Sequence, residues 1–126
     1  MIKLYHYSNK DFKGYIKPSF FGLNNYTSAS KNLSEYKRIY FYADDKSKEY
    51  FFNGSKFLYI AEIKQNKVYD LKIDVLNCIG NFDSISEFIS YISSKGFSGF
   101  KDFNGRQDVI CLFKSVKINK RLTLTK

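Results

Sequence analysis

The single histidine of this chain, His6, is the residue whose chemistry is most specific. It lies in the apolar run 2–7, while Tyr40 lies in the aromatic run 39–42 and Asp108 opens a third apolar run near the C-terminus. An imidazole hydrogen-bonds polar groups, and tyrosine rings stack on flat heterocycles. A carboxylate stabilises the positive charge that develops on a sugar when a glycosidic bond breaks. Together these residue types predict a site that holds a dinucleotide and cleaves one of its glycosidic bonds.

Each of the three residues also has a structural interpretation. A histidine among apolar residues is often a core or edge residue, and most strand tyrosines pack in cores or across strands. An aspartate that follows a turn such as Asn104-Gly105 commonly begins a strand. The functional interpretation therefore requires that the three side chains converge on one crevice.

Runs of β-branched and aromatic residues bounded by turn formers predict the strands that position these side chains. The predicted strands cover residues 2–7, 38–43, 57–63, 67–71, 108–113 and 116–118. A polar stretch, 8–37, separates the first two and is rich in turn formers, which predicts a long loop with one short helix near 30–36. A loop of this length in a small domain is usually functional.

The clearest helix is predicted over residues 84–95, where apolar residues recur at the i, i+3, i+4 and i+7 positions. Ser84 and Glu87 form a capping-box pattern, and Gly96 supplies a left-handed stop. A shorter helix is predicted over 45–52, because Asp44 and Asp45 can cap it. With strands outnumbering helices, we expect an α+β fold with a largely antiparallel sheet.

Length and composition limit the number of domains and the class of protein that the sequence can encode. The 126 residues fit a single domain, 1–126, with one core. No stretch approaches 18 apolar residues and no leader pattern is present, which predicts a soluble cytoplasmic protein without a membrane partner. Cys78 and Cys111 lie in apolar strings and are expected to pack in the core. Without a second histidine or a CxxC motif, no metal site is predicted.

The net charge of +9 is large for a chain of this size. A strongly basic protein attracts polyanions, so the expected macromolecular partner is an acidic protein or a nucleic acid. The densest basic cluster is the segment 114–126, which contains five basic residues and no acid. This cluster is either a binding surface or a solvated face.

Several segments together resemble the ADP-ribosyltransferase fold. They are LYHYS (4–8), KRIYFYADDKSKEYF (37–51), KFLYIAEIKQNKVYDL (56–71), KGFSGF (95–100) and QDVICLFKSVKI (107–118). The resemblance is to the branch with a histidine, tyrosine and glutamate motif, which includes diphtheria toxin and the poly-ADP-ribose polymerases. Small phage-encoded members, including an anti-CRISPR protein, are similar in size and layout. The resemblance implies a split, mainly antiparallel sheet with one or two flanking helices, and a phage or mobile-element origin.

The resemblance also implies roles for individual residues. His6 matches the histidine that hydrogen-bonds the NAD ribose, and Tyr40 matches the tyrosine that stacks on nicotinamide, in preference to Tyr42. Tyr50, or Phe51 with a shift of one residue, resembles the second aromatic wall. Basic residues suited to the pyrophosphate are Lys3, Lys17, Lys37 and Arg38.

Asp108 is the nearest match to the catalytic acid, although the family usually has glutamate and this chain has Gln107 and Asp108. Aspartate keeps the negative charge but is one methylene shorter. If Gln107 takes the position instead, the charge is lost. The activity implied by the resemblance is NAD-dependent mono-ADP-ribosylation of a protein or nucleic acid. The alternatives are NAD hydrolysis by the same fold and a non-catalytic basic binding or inhibitor protein.

Overall fold

The computed structural model describes residues 1–19, 37–43, 55–104 and 107–124, and within them every side chain except those of residues 85, 103, 104, 107 and 108. The strands, in chain order, are β1 (Ile2–Ser8), β2 (Tyr15–Ile16), β3 (Ile39–Tyr42), β4 (Phe57–Ile63), β5 (Val68–Asp70), β6 (Gly99–Asn104), β7 (Gln107–Leu112), β8 (Val116–Lys117) and β9 (Lys120–Thr123). A short 3-10 helix, Gln65–Lys67, precedes β5, and helix α1, Ile85–Ser94, lies between β5 and β6.

Within the described ranges, seven strands form one sheet in the order β5-β6-β7-β3-β1-β4-β9. Its neighbours are antiparallel except for β5 and β6, which are parallel and connected through α1. Strands β2 and β8 form a separate antiparallel pair. The predicted α+β class with a mostly antiparallel sheet is confirmed.

The large sheet is buried on both faces. On one face α1 packs through Phe88, Ile89 and Ile92 against a cluster that includes Tyr40 and Phe100. On the other face, the β2–β8 pair covers a second cluster; its members from the sheet include Leu4, Phe41, Tyr59, Ile110 and Leu112. Because side chains alternate along a strand, β1 and β3 contribute to both clusters.

Helix α1 begins and ends close to the predicted residues. The Ser84 side chain accepts a hydrogen bond from the Glu87 N–H at 3.2 Å, as an N-cap does. At the other end Gly96 has φ +93°, and the Phe97 N–H donates to the Ile92 carbonyl at 3.1 Å, which closes a Schellman motif. The predicted helices over 30–36 and 45–52 lie outside the described residues.

Three strands were not predicted, namely β2, β6 and β9. The first lies in the stretch predicted as a long loop, and the third in the polar segment KRLT. Strand β6 begins with Gly99, whose lack of a side chain lowers strand propensity. In the fold that glycine is required, because a Cβ there would lie 2.0 Å from the Cys111 carbonyl oxygen.

Two further predictions can be compared with the structure. Cys78 and Cys111 are free and buried in the cluster beneath α1, which confirms their expected packing role. No helix in the part of the chain that the structure describes is long and apolar enough to cross a membrane.

Candidate functional site

The large sheet opens between β1 and β3. Strand β1 pairs with β4 along its whole length, whereas its described pairing with β3 is at Tyr5 and Tyr42. Past that pair the strands separate, and Ser19 instead bridges to Arg38 with backbone N–O distances of 2.8 and 3.0 Å. A cavity of about 560 Å³ lies in this opening. Its volume is within the range of small-molecule and cofactor sites.

His6 lies at the point where the two strands separate. Its Nδ1 is 2.7 Å from the carbonyl oxygen of Tyr40, and the ring lines the cavity. The half-buried imidazole also contacts the rings of Phe41 and Phe12, with centroid distances of 5.5 and 6.0 Å. The His6 side chain on β1 is therefore fixed to the backbone of β3 at the edge of the cavity.

The surroundings of His6 determine its protonation state. Burial lowers the pKa of the imidazole below its ordinary value, and the hydrogen bond with the Tyr40 carbonyl opposes this only in part. The ring is therefore neutral at pH 7. Because a carbonyl oxygen only accepts, Nδ1 must carry the proton, which leaves the lone pair on Nε2 as a hydrogen-bond acceptor. A neutral imidazole held this way can accept a hydrogen bond from a hydroxyl group.

Tyr40 also lines the cavity, but its ring is buried on the α1 face of the sheet with 5% of its surface exposed. Arg38 covers it, with the guanidinium carbon 5.7 Å from the ring centroid and Nε donating to the Tyr40 hydroxyl at 3.3 Å. The side chains of His6 and Tyr40 thus lie on opposite faces of the sheet. The structure gives Tyr40 two positioning contacts, its carbonyl with His6 and its phenol with Arg38, and little exposed ring for stacking.

Arg38 lines the cavity although it is only 2% exposed, and its charge acts on the neighbouring Cys111 thiol. Burial raises the pKa of the Cys111 thiol to about 12, while the Arg38 charge and a hydrogen bond with Tyr40 act in the opposite direction. The thiol is therefore neutral at pH 7 and is not an activated nucleophile.

The described walls of the cavity combine cations, small polar groups and aromatic rings. Lys10, Lys17 and Arg38 line it, and no carboxylate does so among the described residues. The half-buried rings of Phe12 and Tyr7 supply accessible aromatic surface. Such a wall suits a ligand that carries both negative charge and flat rings.

The segment that follows β1 forms one wall and is fixed to β4. The buried Tyr59 hydroxyl donates to the Lys10 carbonyl at 2.6 Å and accepts from the Phe12 N–H at 2.9 Å. The Lys56 N–H donates to the Asn9 side chain at 2.9 Å. These bonds hold the Lys10 and Phe12 side chains beside the cavity.

The predicted site residues are brought together only in part. His6, Tyr40, Arg38 and Lys17 line the cavity, whereas Lys3 and Lys37 are not among its lining residues. Tyr50 and Phe51 lie outside the described residues. Gln107 and Asp108 begin β7, and their backbone pairs with Asn104 and Phe103. The structure does not describe the side chains of these two residues, so the assignment of Asp108 as the catalytic acid stays a prediction.

Several wall residues were not identified from the sequence, namely Ser8, Asn9, Lys10, Phe12 and Ser55. All except Ser8 come from connecting segments without a motif. The backbone of Lys10 and Phe12 is held by the hydroxyl of Tyr59, one of 11 tyrosines. In the described part of the chain, no group of His, Cys, Asp or Glu side chains is arranged to hold a metal ion. Comparisons of the chain with protein families, with curated proteins and with solved structures found no match.

Proposed function

We propose that this protein is an NAD-dependent mono-ADP-ribosyltransferase with an ADP-ribosyltransferase-like fold, and that the opening between β1 and β3 is its NAD cleft. The observation that carries the proposal is the hydrogen bond between His6 Nδ1 and the Tyr40 carbonyl, which fixes the imidazole in the cavity wall. Its Nδ1 proton is committed to the Tyr40 carbonyl, so Nε2 is the acceptor that a ribose hydroxyl requires.

The charge and aromatic content of the cavity support the same ligand. A pyrophosphate carries two negative charges, which Lys10, Lys17 and Arg38 complement. Nicotinamide and adenine are flat rings, for which the accessible aromatic surface is that of Tyr7 and Phe12 rather than of the buried Tyr40. Tyr40 then positions His6 and Arg38.

In the proposed reaction the bond between nicotinamide and the ribose breaks, and its electron pair leaves with nicotinamide. A nucleophile on the target forms the new bond to the same ribose carbon and loses a proton to solvent or a nearby base. Positive charge develops on the ribose between these events, and a carboxylate stabilises it. Asp108 is the proposed acid, since it matches the catalytic position of the family that the sequence resembles.

The test is transfer of labelled ADP-ribose from NAD onto macromolecules of a bacterial lysate. We expect labelling by the unmodified chain, and loss of at least about a hundredfold in rate with Asp108→Asn, because fixed charge opposite a developing charge is typically worth that much. Asp83→Asn is the matched control, since Asp83 is exposed at the start of α1. It should label at the unmodified rate.

Three outcomes separate the proposal from its alternatives. Nicotinamide released without any labelled target would indicate an NAD hydrolase and overturn the transferase assignment. No release and no labelling would favour a non-catalytic binding protein. Equal labelling by Asp108→Asn and the unmodified chain would show that the acid is assigned wrongly.

A further inference from the structure

The outer face of the β2–β8 pair presents an exposed aromatic ring among lysines. Ile16 and Val116 face inward and are buried in the core, whereas Tyr15 is 51% exposed. Tyr15 lies opposite Lys117 in the strand register, and both side chains are exposed. Lys13 and Lys17, two residues before and after Tyr15, are exposed as well. We refer to Lys13, Tyr15, Lys17 and Lys117 as the β2–β8 platform.

The charge of this platform is poorly neutralised. The segments 13–17 and 114–119 contain no acidic residue. Lys13 pairs with Asp11 at 3.0 Å, but both groups are well exposed, and Asp11 also binds Arg121. No carboxylate of the described residues forms an ion pair with Lys17 or Lys117.

An exposed ring flanked by cations is the arrangement with which proteins bind single-stranded nucleic acid. The ring stacks on a base, and the lysines contact the phosphates on either side. An acidic protein would use the lysines but gain little from the ring, so the exposed Tyr15 favours a nucleic acid.

The platform also continues into the NAD cleft. Lys17 belongs to the platform and also lines the cavity. The next two residues, Pro18 and Ser19, line the cavity as well, and Ser19 bridges to Arg38 just before β3. A single-stranded nucleic acid bound on the platform would therefore pass the mouth of the cavity, where a transferable ADP-ribose would lie.

We infer that the β2–β8 platform binds single-stranded nucleic acid and, resting on the proposed function, that this nucleic acid is the acceptor of ADP-ribose. The binding part is independent of NAD and is tested separately.

Binding is measured by fluorescence anisotropy with a labelled single-stranded oligonucleotide in the absence of NAD. The logarithm of the association constant should fall with the logarithm of salt concentration with a slope of about −2, because three lysines each contribute roughly −0.7 on a single strand. Lys17→Ala and Lys117→Ala should each make the slope shallower by about 0.7. Lys64→Ala, an exposed lysine beside the 3-10 helix, is the matched control and should not change it.

Tyr15 distinguishes a nucleic acid from other polyanions. Tyr15→Ala should weaken oligonucleotide binding about tenfold, whereas Tyr15→Phe, which keeps the ring, should restore it. Polyglutamate is the comparison probe. Binding of polyglutamate as tight as that of the oligonucleotide, with no effect of Tyr15→Ala, would overturn the inference in favour of an acidic protein partner.

The acceptor part is tested by adding NAD to the bound oligonucleotide. Label on the oligonucleotide supports it. Tyr15→Ala should reduce that label together with the matching release of nicotinamide, and should leave the Kd for NAD unchanged, because Tyr15 does not line the cavity. Release of nicotinamide with tight oligonucleotide binding but no label on it would refute the acceptor assignment alone. Absence of any NAD cleavage would refute the proposed function and leave the binding result to stand by itself.

Discussion

The hydroxyl of Tyr59 fixes one wall of the cavity, so its removal gives a sharp test of how that wall is held. Tyr59 is fully buried, and its hydroxyl makes hydrogen bonds of 2.6 and 2.9 Å to the backbone of Lys10 and Phe12. Tyr59→Phe keeps the ring and its packing but removes both bonds. Each neutral hydrogen bond contributes about 1 kcal/mol, so we expect the free energy of unfolding to fall by about 2 kcal/mol.

The loss should also be local. Without the hydroxyl, the Phe12 N–H has lost its partner, and the segment 9–13 can open without unfolding of the sheet. A loss of about 2 kcal/mol corresponds to a roughly 30-fold faster hydrogen exchange at the Phe12 amide, since 1.4 kcal/mol is a factor of ten. Amides in the middle of β4 should be unaffected by the local opening.

The measurements are denaturant unfolding and hydrogen exchange of the variant beside the unmodified chain. Tyr15→Phe is the matched control, because Tyr15 is half exposed, and it should change stability by less than about 0.5 kcal/mol. A Tyr59→Phe variant with unchanged stability and an unchanged Phe12 exchange rate would refute the account of this wall. If the wall contributes to NAD binding, the same variant should also raise the Kd for NAD.

Three other predictions concern groups elsewhere in the fold. Folding lowers the pKa of His6 from its unfolded value near 6.5, so the free energy of unfolding should decline as pH falls below about 6.5. In unfolding curves measured between pH 5 and 8, His6→Gln should remove this pH dependence. Gly99→Ala should destabilise by about 3 kcal/mol in denaturant unfolding, because the new Cβ meets the Cys111 carbonyl; a smaller change than about 1 kcal/mol would contradict the close approach. Burial would raise the pKa of the Asp74 carboxyl, but hydrogen bonds from the Tyr69 hydroxyl and two backbone N–H groups outweigh it and lower the pKa. Asp74→Ala should therefore lower the Tm at pH 7. The difference in Tm from the unmodified chain should disappear in acid, where the carboxyl is protonated. An unchanged Tm at pH 7 would exclude that role.

The elements with a strong local signal could be predicted from the sequence, and the site could be predicted only in part. Helix α1 carries its own periodicity and caps, so its bounds followed from Ser84 to Gly96. Strand β6 could not be predicted in this way, because its first residue, Gly99, is required only by the close approach of β7, which is a tertiary constraint. The position of His6 in a strand followed from the sequence. No local pattern indicates that β1 and β3 separate beyond Tyr5 and Tyr42, or that Ser19 bridges to Arg38.

The role of Tyr40 shows the same limit. Its place in the cavity wall was predicted from the motif, but alternation along β3 turns its ring toward α1, where Arg38 covers it. Sequence position therefore identified Tyr40 as a residue of the cavity wall, but it did not indicate that the Tyr40 carbonyl contacts His6.

Binding of NAD in the cavity beside His6 can be followed on the imidazole itself. The chain has one histidine, so its ring signals in a nuclear magnetic resonance spectrum need no assignment among alternatives. We predict that titration with NAD shifts these signals saturably at pH 7, with Nε2 changing more than the Nδ1 that is bonded to Tyr40. Imidazole signals that stay unmoved up to millimolar NAD would contradict binding of NAD in this cavity.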